Sequence, residues 1–272
     1  MNFYFKVPEE YEGAYAVLKD EMGNRTEVDL STVPYSDKNG YKVTYPNIVA
    51  KRMMMKIELT VCDKDGNVIP MERKGSLLPN GTFSYCVTDY VNDVLMTSSR
   101  AYSKDLAYAI LNYGQCAQEY FGYETDKPMP NPLGYLASEM AEVEADPQYT
   151  QTGPEWDQYV GASLDLEGAI SSYLYFRVPI TATMVKSNGE ESALPVVQNA
   201  NGYRVEIRNI AAKRLHEMYT IRVKYEGNTY EYRTGVFSYV NRVLIPKPEA
   251  NKSNLGKAFY LYNRAARLYF GY

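Results

Sequence analysis

Residues 105–123 read Asp-Leu-Ala-Tyr-Ala-Ile-Leu-Asn-Tyr-Gly-Gln-Cys-Ala-Gln-Glu-Tyr-Phe-Gly-Tyr, and residues 254–272 read Asn-Leu-Gly-Lys-Ala-Phe-Tyr-Leu-Tyr-Asn-Arg-Ala-Ala-Arg-Leu-Tyr-Phe-Gly-Tyr. Both stretches close on Tyr-Phe-Gly-Tyr. A self-match at one long period marks two copies of one module. The match continues upstream in blocks. Phe3-Tyr4-Phe5-Lys6-Val7-Pro8 aligns with Leu174-Tyr175-Phe176-Arg177-Val178-Pro179, and Gly40-Tyr41-Lys42-Val43 with Gly202-Tyr203-Arg204-Val205. Asn47-Ile48-Val49-Ala50-Lys51-Arg52 aligns with Asn209-Ile210-Ala211-Ala212-Lys213-Arg214, and Tyr90-Val91-Asn92-Asp93-Val94-Leu95 with Tyr239-Val240-Asn241-Arg242-Val243-Leu244. The register changes between blocks, so differences in length fall in loops, chiefly before Gly40 and around Met71–Phe83 of the first copy.

The front of each copy alternates with period two. Tyr41, Val43 and Tyr45 share one face, as do Ile57, Leu59 and Val61; in the second copy Val205 and Ile207, then Tyr219, Ile221, Val223 and Tyr225, do the same. Such alternation predicts half-buried antiparallel strands. Gly23-Asn24, Asp65-Gly66, Asn188-Gly189 and Gly227-Asn228 supply tight turns between them. The rear of each copy switches to helical spacing, with Leu106, Ile110, Tyr113, Ala117 and Tyr120 on one stripe and Leu255, Phe259, Tyr262, Ala266 and Tyr269 on the other. Gly122 and Gly271 stand where a helix stops in the left-handed conformation. Shorter helices are expected over 88–96 and 237–245. The fold class is therefore α+β: two tandem copies of a small antiparallel β-sandwich module, each closed by a C-terminal helical pair.

Three regions follow. The first module covers 1–123, an acidic Pro-rich connector covers 124–160, and the second module covers 161–272. The connector opens with the stiff run Lys127-Pro128-Met129-Pro130-Asn131-Pro132 and holds one short helix around Leu136, Met140 and Val143. Ser163-Leu164-Asp165-Leu166-Glu167 reads as a first strand that the first module lacks, because that module begins at Phe3. The chain is thus expected to be cut from a longer one. Met1 runs straight into a strand-like stretch rather than a basic and apolar leader.

The 272 residues carry a net charge of −4 and suit two domains with cores of their own. That charge is polarised. Residues 1–123 carry 13 basic and 16 acidic side chains, 124–168 carry one and 10, and 169–272 carry 15 and 7. Either the acidic connector lies near the basic second module, or that module offers a basic face to an acidic partner. Lys and Arg are scattered rather than gathered in a stripe, which argues against nucleic acid. No stretch approaches the length of a membrane span. Cys62, Cys86 and Cys116 align with Lys224, Gly235 and Ala265, so the module does not require them, and an odd number without CxxC spacing argues against zinc. Buried free thiols are the default reading, with a Cys62–Cys86 disulfide the alternative.

Catalytic signals are thin. His216 is the single histidine, and Met54 stands in its place in the first copy. No nucleophile with a spaced base, no carboxylate dyad common to both modules and no glycine-rich phosphate loop is present. Asp63-Lys64-Asp65-Gly66-Asn67 lacks the distal glutamate of a calcium loop and reads as a hairpin turn. No enzyme, cofactor or metal site is expected. Tyrosine is the conspicuous residue, at 28 against 8 Phe and 1 Trp. It serves interfaces and sugars as readily as it serves cores. The candidate binding set is Trp156 with Tyr203, Tyr225, Tyr230, Tyr232, Arg222 and Arg233. Trp156 stacks on a sugar ring in one reading and pins the connector in the other.

The Asn-Ile-Ala-Ala-Lys-Arg, Tyr-Val-Asn-Arg-Val-Leu and Tyr-Asn-Arg-Ala-Ala-Arg-Leu-Tyr-Phe-Gly-Tyr blocks resemble a tandem module of large secreted or wall-anchored surface proteins of gut Clostridia, of the Lachnospiraceae and Ruminococcus type. The likeness covers nearly the whole chain in two copies. It implies an extracellular, non-catalytic repeat; some proteins of this sort bind immunoglobulins, and others accompany carbohydrate-active machinery. Duplication, tyrosine and charge asymmetry without a catalytic set point to a monomer that engages a host protein. The expected partner is accordingly a host protein, an antibody variable domain first among them, or a glycan. A passive spacer is the remaining alternative.

Overall fold

The computed structural model describes residues 1–7, 11–46, 48–131, 136–186 and 188–272. Pro8 and Asn47 of the aligned blocks, and Pro132 of the connector, lie outside the described residues. The chain divides into two compact units, Met1–Ile48 with Arg52–Asp93, and Val49–Lys51 with Val94–Tyr272. It is a mixed helix-and-sheet protein built on antiparallel pairings.

The first unit contains β1 (Asn2–Phe5), β2 (Tyr15–Asp20), β3 (Arg25–Asp29), β4 (Tyr35–Ser36), β5 (Gly40–Thr44), β6 (Ile57–Cys62), β7 (Met71–Arg73), β8 (Ser76–Leu78) and β9 (Thr82–Tyr85). One sheet runs β3-β2-β6-β9, a second runs β1-β5-β4, and β7 pairs with β8 alone. The period-two residues explain why these strands stack. Ala16, Leu18, Ile57, Leu59 and Val61 from one sheet meet Phe3, Phe5 and Val43 from the other in a single buried cluster. The Asp63 segment is a turn, its carboxylate accepting the backbone N–H of Asp65 and of Asn67, each at 2.9 Å.

Helix α1 (Val87–Thr97) follows, then α2 (Ala101–Phe121) and the short α3 (Ala137–Glu142). The second unit's strands are β10 (Tyr159–Asp165), β11 (Ser171–Phe176), β12 (Thr181–Val185), β13 (Glu191–Ala193), β14 (Val196–Asn199), β15 (Gly202–Ile207), β16 (Tyr219–Tyr225) and β17 (Asn228–Thr234). Then come α4 (Val236–Tyr239), which runs on into a π-helical turn at Val240–Leu244, and α5 (Ala250–Phe270). The sheets run β10-β11-β15-β14 and β13-β12-β16-β17. Taken in chain order, β13-β12-β16-β17 has the same connectivity as β3-β2-β6-β9, and β11-β15-β14 the same as β1-β5-β4. Strand β10 begins at Tyr159, four residues before the expected start. It stops at Asp165, whose carboxylate accepts the N–H of Glu167 at 2.9 Å and the Tyr173 hydroxyl at 2.8 Å.

The helices pack in an unexpected way. Instead of each sandwich closing on its own pair, α2 lies along α5. Tyr113 stacks on Tyr262 at 5.1 Å and meets Phe259 at 5.0 Å, while Ala109, Leu136, Leu261 and Ala265 form one buried cluster. The packing division therefore falls after Asp93 rather than at 123. Both long helices end as their spacing predicts. Gly122 (φ 60°) and Gly271 (φ 72°) are left-handed, and the N–H groups of Tyr123 and Tyr272 return to the carbonyls of Gln118 and Arg267, each at 3.0 Å.

Gly40 and Gly202, aligned in sequence, open β5 and β15 with φ of 75° and 118°. A Cβ at either would overlap the carbonyl oxygen of Phe5 or of Phe176 on the neighbouring strand. The positive φ and the close backbone both demand glycine. Gly40→Ala and Gly202→Ala should each lower unfolding free energy by more than about 1 kcal/mol, read from denaturant midpoints. An unchanged midpoint in either variant would contradict the assigned register.

Candidate functional site

The candidate residues sit mainly on the β16–β17 hairpin. Strand alternation decides where each side chain goes. Ile221, Val223 and Tyr225 of β16, with Tyr230, Tyr232 and Thr234 of β17, line the inner face; Thr220, Arg222, Lys224, Thr229, Glu231 and Arg233 line the outer one. The five hairpin members of the set predicted from sequence thus divide between two faces of one sheet, and the set is not a single site.

On the inner face, the Trp156 indole stacks on Tyr230 with centroids 4.0 Å apart and planes 7° apart, and it lies 5.7 Å from Tyr225 and 5.9 Å from Phe176. Two backbone bonds bring the connector there: Thr152 N–H to Arg233 C=O at 3.0 Å, and Arg233 N–H to Thr152 C=O at 2.8 Å. Beyond Trp156, the Arg177 guanidinium donates to the Asp157 carbonyl. Trp156 therefore pins the connector to the hairpin, the second of its two readings.

Tyr232 is a correction. It is 1% exposed, wedged between Tyr159 at 4.9 Å and Phe176 at 5.7 Å, with Gly153 against its ring. It cannot be part of a contact surface. Its hydroxyl finds no hydrogen-bond partner, and burial raises its pKa to about 12, so it is a neutral phenol. Tyr203 is also apart from the others: it sits on β15, half-buried, opposite Phe176 and Gln198 in the other sheet.

On the outer face, Arg222 stands between two carboxylates, Nη1 at 2.7 Å from Glu191 and Nε at 3.1 Å from Glu231. Arg233, in register with Thr220, is exposed on the same face. Much of the basic charge of the second unit is likewise matched within it. Arg204 and Arg208 both pair with the fully buried Glu206, and Arg214 pairs with Glu217 at 2.7 Å.

The sequence did not point to a cavity of about 480 Å³ beside the connector, whose walls include Gln151, Thr152, Tyr159, Tyr232, Asn241 and Arg242. Gln151 Nε2 donates to the Tyr159 hydroxyl at 2.6 Å, and Asn241 Nδ2 donates to the Asp146 carbonyl at 2.7 Å. Arg242 is exposed and forms no ion pair among the described residues. Such a lining, amide and hydroxyl over aromatic walls, suits a small polar ligand. Only folding assembles it from stretches nearly 100 residues apart.

His216 is half-buried. Burial, then the nearby Arg267, lowers its pKa, so it stays neutral at pH 7; its Nδ1 lies 3.4 Å from Asn263 Nδ2. Cys62, Cys86 and Cys116 are free and buried, and burial pushes the Cys116 thiol up to about 12. Among the described residues no group of three or more His, Cys, Asp or Glu could hold a metal ion, and no helix is long and apolar enough to cross a membrane.

No family model matches the chain, and no curated protein matches it. Among solved structures the chain is similar to a tetra-tandem repeat in the extending region of a large adhesion protein, at 8% identity and a TM-score of 0.19, over 82% of this chain and 42% of that one. It is also similar to a pullulanase from Anoxybacillus sp. LM18-11, at 10% identity and a TM-score of 0.18, over 84% of this chain and 22% of that one. The chain spans less than half the length of either. Likenesses this distant carry no argument about activity.

Trp156→Ala should destabilise the protein by about 2 kcal/mol, below the usual loss for a fully buried aromatic because the indole is only half-buried. Thermal unfolding checks this. A variant as stable as the parent would show that the stack holds nothing.

Proposed function

We propose that the chain is two copies of one sandwich-and-helix module and acts as a non-catalytic binding element of a bacterial surface protein, outside the cell. The proposed partner is a host protein, with the immunoglobulin variable domain as the first candidate. The observation that carries this reading is the outer face of β13-β12-β16-β17, where Arg222 is held between Glu191 and Glu231 with Arg233 exposed beside them. Non-obligate interfaces are about as polar as ordinary surface and are enriched in Arg. A guanidinium held in place by two carboxylates loses little freedom on binding. The shared strand order of the two units supports a second, related face in the same chain, which raises avidity when both engage.

A second reading, a glycan ligand, is favoured by the cavity, where the exposed Arg242 stands beside Gln151 and Tyr159.

The test uses the intact chain against immobilised Fab fragments and a glycan array. The protein reading expects retention on Fab that weakens about tenfold in the Arg222→Ala, Arg233→Ala double variant. No retention on any Fab removes the antibody as partner. The glycan reading expects an array signal that Arg242→Ala reduces about tenfold; a signal indifferent to that change places the sugar elsewhere. Silence in both assays leaves the spacer reading.

A further inference from the structure

One residue of the Ala-Lys-Arg blocks, read from sequence only as part of the repeat, is placed by the fold over the Tyr-Phe-Gly-Tyr terminator. Lys51 and Lys213 each occupy a 3-10 turn, at Ala50–Arg52 and Ala212–Arg214. Lys51 Nζ lies 4.2 Å from the Phe121 ring centroid and 5.9 Å from that of Tyr123. Lys213 Nζ lies 5.1 Å from Phe270 and 3.9 Å from Tyr272. The supporting geometry repeats as well, with Tyr120 edge-on to Phe121 at 4.9 Å and Tyr269 edge-on to Phe270 at 4.9 Å. These are two versions of one aromatic cage around an ammonium.

They differ in what completes them. Lys51 makes a 2.5 Å ion pair with Glu167, just past the end of β10, and its side chain is only 11% exposed. Lys213 makes a 2.6 Å hydrogen bond to the Tyr272 hydroxyl and has no carboxylate among the described residues. Its cage is open: Phe270 is 54% exposed and Tyr272 67%, with Leu268 at 61% beside them. The rings attract the ammonium without neutralising its charge, so a carboxylate is the partner that Lys213 lacks and Lys51 has.

We infer that the Lys213–Phe270–Tyr272 cage is a docking site for the acidic strand end of a further copy of this module, which places a carboxylate there as Glu167 is placed on Lys51. Two features of the occupied cage specify the occupant: a strand ending in an Asp turn, as Asp165 provides, and a glutamate two residues later. The sign of the charges agrees, since residues 124–168, which carry Glu167, are strongly acidic, and residues 169–272, which carry Lys213, are basic. The inference rests on the two-copy reading and not on what the chain binds.

Carbodiimide coupling tests it, because it joins a lysine to a carboxylate only at ion-pair distance. The full chain is extended after Tyr272 by a repeat of residues 124–272, and coupled peptides are identified by mass spectrometry. In the unextended chain, of the two cage lysines only Lys51 should be coupled to Glu167, beside local cross-links such as Lys74–Asp93, Lys186–Glu190 and Lys252–Glu249. The extended chain should yield in addition a Lys213–Glu167 cross-link, lost in Lys213→Gln. If Lys51–Glu167 persists and Lys213–Glu167 never forms, the docking inference fails while the two-copy reading stands. If neither forms, the inference fails together with the junction it is drawn from.

Discussion

The second unit depends on the meeting of α2 and α5 through Tyr113, stacked on Tyr262 and tilted against Phe259. Burial raises the pKa of both phenols, so each ring behaves as an apolar plate at any physiological pH. Aromatic pairs of this kind add about 0.5–1.5 kcal/mol beyond the area they bury. Around them, small residues such as Ala109 and Ala265 let the helices approach closely. The repeat in the sequence and the packing in space therefore have different boundaries. A helix that the period assigns to the first copy contributes its apolar stripe to the second unit.

That difference shows what could be read from the residues. Period-two alternation located β5, β6, β15 and β16, because one face of each is buried, as Leu59 and Val61 are in the first unit and Ile221 and Val223 in the second. The left-handed stops at Gly122 and Gly271 followed from glycine's freedom at positive φ. Helical periodicity shows only that a stripe is buried and not what buries it, so the union of α2 with α5 stayed hidden. The candidate set was partly legible. Trp156, Tyr225 and Tyr230 do gather. The same alternation, applied to β17, would have sent Tyr232 inward and Arg233 outward. The cavity left no trace, since its walls come together only through the fold.

The charge polarity has a structural account of similar detail. The excess of arginine and lysine in the last hundred residues does not form one bare basic face. Glu206 is wholly buried and serves both Arg204 and Arg208, while Arg204 also lies over the Tyr173 ring at 4.2 Å. An uncompensated carboxylate at that depth would be strongly unfavourable. Two flanking guanidinium groups and a sheet position fix its partners.

The backbone pairing of Thr152 with Arg233 has one more effect. β17 is the last strand of its sheet, and an outermost strand with free N–H and C=O groups is a template on which another polypeptide can add itself. By laying the connector against that rim and anchoring it with Trp156, the chain occupies hydrogen-bonding positions that would otherwise recruit strangers. The segment before β10 thus caps one position of a rim that would otherwise be free to pair.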